Sequence, residues 1–557
     1  MSQIRFERRL RLRVESPFVS HGLTVAAWGI DIAQCRDAKD RVVLPAELIR
    51  GNLRHAFAEI GRDPVPLFGQ KETDRGGLIL GDLVAQLDDG GEPQILTRVA
   101  IDDATGAAQA GALFSIELAR PIGQVVTFEG PLVVFAADET VFDDLRAALE
   151  RIVAVGAFKT VGFGVVVDWA LDLVPDQVAS RPLASRPAPR ADLGDRVEVT
   201  LQFDRPLLVD ARRVANNVFQ GQAVIPGGVL KGALAARVRR GGWDGLDQAL
   251  SRMRIGHAFP VGEDGRLSHR PLPLSLVIGE QGGAEADLLL APPDAPPPLL
   301  NGQAPRFALD WKAAEVDAVR EHLGWPAEVA FDFLTRTRTA IDRETGQSSE
   351  SQLFSYSALI PGKRCWQAEI ERNGADPAAF ALLLAVLEEG LDGIGKTDAR
   401  AKITLTAPAE PPPEPVRSGA GWAVTLRTPA LLNGDPQRLY ADPDLMADYG
   451  AYWARAVPGA RLVTFFATQR LAGGWQAKKA RRTVYYPFLL TEPGAVFLLE
   501  GGDPATYAAL RRSGLPLPDW LAEATWQTCP FVPENGFGAF DLGVVDHADL
   551  LPGGANA

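Results

Sequence analysis

Cysteine is nearly absent. The 557 residues hold three, Cys35, Cys365 and Cys529, all far apart. That excludes a disulfide scaffold and fits a reducing cytoplasm, where we expect the chain to reside. None of the six histidines stands at ligand spacing from a cysteine or an acid, so no resident metal site is expected. No apolar run approaches the roughly 18 residues that cross a bilayer. Met1 to Arg13 is charged throughout, so neither a membrane span nor a secretory leader is expected. No nucleophile-elbow motif occurs. A positive net charge is missing too: 57 Lys and Arg against 70 Asp and Glu leave −13. This argues against non-specific nucleic-acid binding by the whole surface. Basic residues are nonetheless clustered at Arg5–Arg13, Arg237–Arg240 and Lys478–Arg482, and such strips can follow one strand.

What is present is a repeat. Thr97-Arg98-Val-Ala-Ile-Asp102 runs through Thr105-Gly106 to Leu113-Phe114-Ser115. It returns without a gap as Thr337-Arg338-Thr-Ala-Ile-Asp342, through Thr345-Gly346, to Leu353-Phe354-Ser355, with about half the positions identical. A repeat at this distance means two copies of one domain. The length allows three or four domains.

Residues 7–15 alternate with period 2, as a strand with one wet face does. A loop carrying Asp31 and Arg36 follows, then Val42-Val43-Leu44-Pro45 opens a helix with Ile49, Leu53 and Phe57 on one side and Arg50 and Arg54 on another. Val125–Phe135 reads as strand and Phe142–Ala154 as helix. The glycine-rich run Gly156–Gly164, with Lys159, precedes the strand Val165–Trp169. A Pro/Ser/Arg/Ala segment, 175–195, reads as a linker. The order then recurs: strand Val197–Phe203, a loop with Asp210, Arg212 and Arg213, a helix from Ile225-Pro226-Gly227-Gly228 carrying Lys231, the second repeat, helix Ala378–Glu389, a Gly-rich loop and strand Ala401–Leu405. A Pro-rich insertion at 291–305 reads as an exposed loop. This order is the split βαβ, ferredoxin-like unit, so the fold class is α+β with tandem RRM-like domains. We place them at 1–174 and 196–406. A second linker, 407–418, introduces a third and weaker unit, 419–557.

Gly390–Thr397 satisfies the P-loop pattern, yet a helix precedes it and a strand follows, the reverse of a phosphate-cradling P-loop. Its glycines and Lys396 can still hold a nucleic-acid backbone. Asp31 has two readings, a solvated turn aspartate or a carboxylate assisting attack by a ribose 2′-hydroxyl, as base or through a bound divalent cation. Asp210 is the weaker candidate, since Arg212 and Arg213 are placed to pair with it. Arg98, Arg336 and Arg338 read as phosphate contacts, and Arg36, Arg50, Arg54, Lys159, Arg212, Arg213 and Lys231 as further RNA-binding candidates, while Asp102 and Asp342 read as turn or salt-bridge residues. Trp475, Tyr485 and Tyr486 beside Lys478 and Lys479 read equally as base-stacking or core aromatics.

These residues resemble the RAMP superfamily of CRISPR-associated proteins, the ferredoxin-like subunits of type III effector complexes. The resemblance rests on the first strand, the Asp-bearing loop, Leu44-Pro45 to Arg54, Ile225-Pro226-Gly227-Gly228-Val-Leu-Lys231-Gly232, Leu67-Phe68-Gly69, both Arg-x-Ala-Ile-Asp segments and the terminal glycine loops. It implies that Ile30-Asp31 matches the motif whose aspartate cuts target RNA, with Mg²⁺ as the divalent cation. The first helix departs from the usual Pro-Gly-Ser by reading Pro45-Ala46-Glu47, and the second copy lacks the Ile-Asp pair. The third unit, through Gly473-Gly474-Trp475 and Gly494-Ala-Val-Phe, looks like the domain capping the guide's handle in type III-D systems. The expectation is a fused backbone subunit of a type III-D-like complex, acting in antiviral defence. Its partners would be guide RNA, target RNA and other subunits. Each domain would offer a sheet face and loops to the guide. A structural subunit without catalysis and a stand-alone guide-processing endoribonuclease are the alternatives.

Overall fold

The computed structural model describes residues 2–20, 30–70, 75–87, 94–174, 180–277, 286–289, 320, 325–341, 348–408, 421–434, 444–474 and 486–543, except positions 103, 216 and 527. It is an α+β chain of antiparallel sheets backed by helices.

The first unit comprises β1 (Ile4–Glu15), α1 (Ala46–Glu59), β2 (Leu83–Gln86), β3 (Gln94–Ile101), β4 (Ala108–Leu118), β5 (Val125–Ala136), α2 (Val141–Leu149) and β6 (Val166–Leu173). Its sheet runs β2-β5-β1-β6, with Val43–Leu44 added at the β2 edge. The second unit comprises β7 (Arg196–Phe203), α3 (Gly227–Gly241), β8 (Arg254–Ile255), β9 (Phe333–Ile341), β10 (Ser348–Leu359), β11 (Trp366–Glu371), α4 (Pro377–Glu388) and β12 (Ala399–Thr406). Its sheet runs β8-β11-β7-β12. The third comprises β13 (Trp422–Leu426), α5 (Leu445–Ala456), β14 (Ala460–Phe466), β15 (Gln469–Gly474), β16 (Tyr486–Thr491), β17 (Val496–Gly501), α6 (Pro504–Ser513) and β18 (Phe540–Leu542), with sheet order β14-β17-β13-β18. All three are ferredoxin-like: the order is second, third, first, fourth strand, with one helix in each crossover.

Alternation builds these sheets. In β1, Phe6, Leu10, Leu12 and Val14 point into the core with Ile49, Leu53 and Phe57 of α1. Arg9, Arg11 and Arg13 point the other way and face Glu129, Asp172 and Asp168 across the strands at 3.7, 3.6 and 3.9 Å. The outer face of the first sheet is thus a ladder of opposite charges.

The repeated segment is a hairpin. β3 and β4 pair Thr97 with Ser115, Arg98 with Phe114 and Ile101 with Ala108, with a bulge after Val99. β9 and β10 pair Thr337 with Ser355, Arg338 with Phe354 and Ile341 with Ser348, with a bulge after Thr339. Each hairpin is inserted between the second and third strands of its sheet. The third unit has one in the same place, β15–β16.

Two readings change. The segment read as a linker at 175–195 is docked where it is described. Ser180–Pro182 pairs with β1, Leu183 is fully buried, Ala184 accepts from Trp243, and Arg190 reaches Glu388 at the end of α4. It covers α4, a helix apolar on nearly every side from Phe380 to Leu387, which propensity alone would have left bare. The helix read to Ala154 ends at Leu149, because Ala154 turns back to bridge Val165. The second linker and the 291–305 insertion lie largely or wholly outside the described residues.

Candidate nucleic-acid interface

Asp31 is exposed and fixed by the hairpin. Its Oδ2 accepts from the amide of Ser115 at 2.7 Å and from the hydroxyl at 3.1 Å, and its own amide donates to the Ser115 carbonyl at 3.1 Å. Ile32 bridges Ile116 in parallel, and Glu117 donates its amide to the Ile32 carbonyl at 2.9 Å. Glu117 also binds the amide of Gln34 and pairs with Arg36. The loop therefore becomes an extra edge of β4, and the carboxylate keeps Oδ1 without a partner among the described residues.

Beneath it lies a small core of Val19, Ile116, Leu118 and Phe163, with Ile32, Phe114 and Phe158 packed on. Arg98 stacks on Phe163 at 5.7 Å. Lys159 follows Phe158, is exposed, and donates to Asn52 of α1 at 3.3 Å. Phe158 takes φ of 59°, and the glycine loop closes at Gly164, where an added Cβ would lie 1.9 Å from the Val155 carbonyl oxygen at φ of +70°. Asp31, Arg98 and Lys159 thus converge on one cluster. Ser115, Asn52 and the Phe158–Phe163 pair were not singled out from sequence. Ser115 was visible inside the repeat, but nothing in its pattern distinguished it from a hairpin serine.

Other predicted contacts serve the fold. Arg50 donates to the carbonyls of Leu78, Phe68 and Arg75, and Arg54 to that of Gly69 at 2.9 Å. Burial lowers the pKa of Arg50, although it holds those three carbonyls. Arg36 is paired with Glu117 and lies 3.7 Å from Asp40. Arg336 binds Asp82 and lies 3.7 Å from Glu47, while Arg338 pairs with Glu47 and stacks on Tyr356 at 4.5 Å. Glu47, the departure from Pro-Gly-Ser, therefore receives the second unit's hairpin. Lys231 is buried at 6% exposure and donates to the Ser251 carbonyl at 3.4 Å. Burial pushes its ammonium down to about 8, against the pull of Glu534.

Around α3 the first turn is covered by protein. A Cβ on Gly227 would meet the Ile255 carbonyl at 1.9 Å and that of Asn535, from the third unit, at 2.8 Å. Asp210, at φ of 44°, lies 3.9 Å from Arg212, which reaches Glu492 at 3.5 Å. Burial raises its carboxyl above the usual range, with Arg212 and Arg470 opposing. Arg213 is exposed, as is Lys396, which lies on a turn after α4 and Leu391–Ile394 and before β12. No helix starts there, so the P-loop match is false. Asp102 closes its own turn by accepting from Thr105 at 2.8 Å. Asp342, Trp475, Lys478, Lys479 and Tyr485 lie outside the described residues.

Among the described residues, no group of three or more His, Cys, Asp or Glu converges as a metal cage. Asp31 alone fits a divalent cation only where substrate phosphates complete the shell, as magnesium permits. No helix among the described residues is long and apolar enough to cross a membrane.

Residues 29–167 match the family model of the RAMP superfamily. No curated relative matches the chain. Among solved structures, a chain of Type III-B Cmr-beta bound to cognate target RNA is similar at 14% identity and TM-score 0.25, over 30% of this chain and 61% of that one. This chain thus spans less than two thirds of that chain. A chain of the apo state of Type III-B Cmr-beta is similar at 11% identity and TM-score 0.25, over 31% and 98%. One from Cmr-beta bound to cognate target RNA and AMPPnP is similar at 10% identity and TM-score 0.28, over 59% and 91%.

Proposed function

We propose that this chain, whose residues 29–167 belong to the RAMP superfamily, is a fused backbone subunit of a type III CRISPR effector complex of the D-like kind. In this reading it binds guide and target RNA and cuts the target at Asp31. The observation that carries the reading is the Asp31 carboxylate, exposed on a loop that Ser115 locks to the repeated hairpin, with Arg98 and Lys159 around the same cluster. Backbone phosphates would meet Arg98, Lys159 and, in the second unit, Arg213 and Lys396. The first sheet's outer face is taken up by cross-strand ion pairs, which supports contact through loops and hairpins.

Asp31 Oδ1 would take the proton from a ribose 2′-hydroxyl. The freed oxygen would bond to the adjacent phosphorus as the bond to the 5′-oxygen breaks, leaving a 2′,3′-cyclic phosphate. The 5′-oxygen would leave as a hydroxyl, with a proton from water. A divalent cation, held by Asp31 and the phosphate, would neutralise charge on the phosphoryl oxygens. Ser115 holds Oδ2 so that the other oxygen faces outward.

The test uses the assembled, guide-loaded complex with end-labelled target RNA and Mg²⁺. Asp31→Ala should slow cleavage by about 10²-fold or more while guide and target stay bound, the range typical of losing a general base. Unchanged cleavage would remove Asp31 from the chemistry and leave a structural subunit. Cutting of precursor guide by the isolated chain would favour the processing enzyme.

A further inference from the structure

A pocket of about 270 Å³ opens where the third unit meets the second, away from Asp31. Its lining is of two kinds. Arg212 and Arg470 both reach Glu492, at 3.5 and 2.8 Å, beside Asp210. Phe531 and Phe537 meet edge to face at 5.2 Å, and His257 lies against Phe537 at 4.8 Å. Arg427 lies over Phe259 at 5.5 Å. Two lining residues carry buried nitrogens without a hydrogen-bond partner among the described residues: Nδ1 of His257 and Nε of Arg212. Buried polar atoms of this kind call for a ligand or solvent. The arginines share their acceptors: Glu492 serves both Arg212 and Arg470, with Asp210 3.9 Å from Arg212, and Asp541 serves both Arg427 and Arg270.

We infer that this pocket binds one nucleoside monophosphate unit, its phosphate against Arg212 and Arg470 and its base among Phe259, Phe531 and Phe537. Guanidinium pairs match phosphate geometry, and aromatic edges and faces accept any base. Asp210 and Gln222 offer acceptors to base or ribose. The volume lies just below the roughly 300 Å³ at which ligand pockets begin, which leaves no room for a second nucleotide. Asp210 takes its left-handed backbone angle at this wall, as residues beside ligand sites often do. The unit comes from a free mononucleotide or from an RNA strand, and the two sources share this chemistry.

The full chain is titrated calorimetrically with AMP, GMP, CMP and UMP, with adenosine, with inorganic phosphate, and with a six-nucleotide RNA. The variants are Arg470→Gln, the double variant Arg212→Gln/Arg470→Gln, and Arg62→Gln, a remote control paired with Asp144. Melting curves verify folding. We expect a mononucleotide to bind the wild type and the control alike. It should bind at least about tenfold more weakly to the double variant, the effect of losing one charge-assisted contact or more. Adenosine and phosphate alone should bind more weakly than AMP. RNA binding lost in the double variant, without mononucleotide binding, assigns the source to a strand and keeps the site. 4-Thiouridine monophosphate crosslinked to the wild type should label peptides holding Phe259, Phe531 or Phe537, which holds whether or not the double variant folds. Equal binding by wild type and variants, no binding of any probe, or crosslinks elsewhere would overturn the site. Asp31 lies outside this pocket, so this test and the cleavage test fail separately.

Discussion

Asp82→Ala should loosen the first unit from the second. Asp82 does two things at once. Its Oδ1 accepts from the amide of Ala46 at 2.9 Å, capping α1 at a terminus whose N-cap, Pro45, offers no side-chain acceptor. Both its oxygens bind the guanidinium of Arg336, whose side chain is 11% exposed. Loss of a cap costs about 1 kcal/mol, and leaving a buried charge unpaired costs about 3–5 kcal/mol. Glu47, 3.7 Å from Arg336, recovers part of the second. A net loss of about 3 kcal/mol is expected, felt where the two units touch. The chain is too large for one two-state transition, so hydrogen exchange is the assay. Protection should fall in α1 and β9 and stay unchanged in β13 and β17 of the third unit. Arg336→Met should be milder, since the Asp82 carboxylate left behind is more exposed than Arg336, at 25% against 11%, and still accepts from Ala46, and in Asp82→Ala/Arg336→Met only the cap should remain lost. If the single and double variants exchange alike, or if Asp82→Ala changes α1 by less than about 1 kcal/mol, Arg336 is not the clasp inferred here.

Lys231→Met should stabilise the protein at pH 7. Its folded pKa of about 8, against an ordinary lysine value of 10.5, means the unfolded chain holds more protons between those pH values. Wild-type stability should therefore rise with pH across that window, by about 3 kcal/mol at most, and the variant's should not; a flat wild-type profile in denaturant titrations would contradict it. Ser115→Ala should reduce target cleavage less than Asp31→Ala does, with guide binding kept; an equal loss would make the serine more than a support. Gly164→Ala should destabilise the first unit by more than about 1 kcal/mol, because both the backbone angle and the Val155 carbonyl oppose a side chain; an unchanged melting temperature would sink this.

Much of the fold was legible because it is written in local patterns. β1 alternates from Glu7 to Glu15, α1 starts at a proline, and the hairpins repeat their register down to the bulge. The third unit was fainter because its hairpin shares no motif with the other two, although its strand order is the same. The site was less legible, for a physical reason. Sequence spacing shows which arginines share a helix face, yet cannot show what they meet. Arg50 meets carbonyls, Arg336 meets an aspartate thirty-six residues beyond α1's first residue, and Lys231 meets a neighbouring element. Each was a plausible phosphate contact until long-range packing filled its donors.

The same packing explains Glu47. An acid in the first turn is favourable to the helix dipole, but beside a nucleic-acid backbone it would repel. In the fold it faces Arg338 and Arg336 of the following unit instead. In the second unit the corresponding turn carries Gly227-Gly228, and Asn535 of the third unit presses against it. Each helix start is thus closed by the module that comes next, once through charge and once through the absence of side chains. Two different sequences at one position serve the same junction. The departure from Pro-Gly-Ser at Glu47 is, on this geometry, a contact that joins the first unit to the second. In the proposed reading, the strand is left the hairpin and glycine-loop side, where Asp31, Arg98 and Lys159 stand.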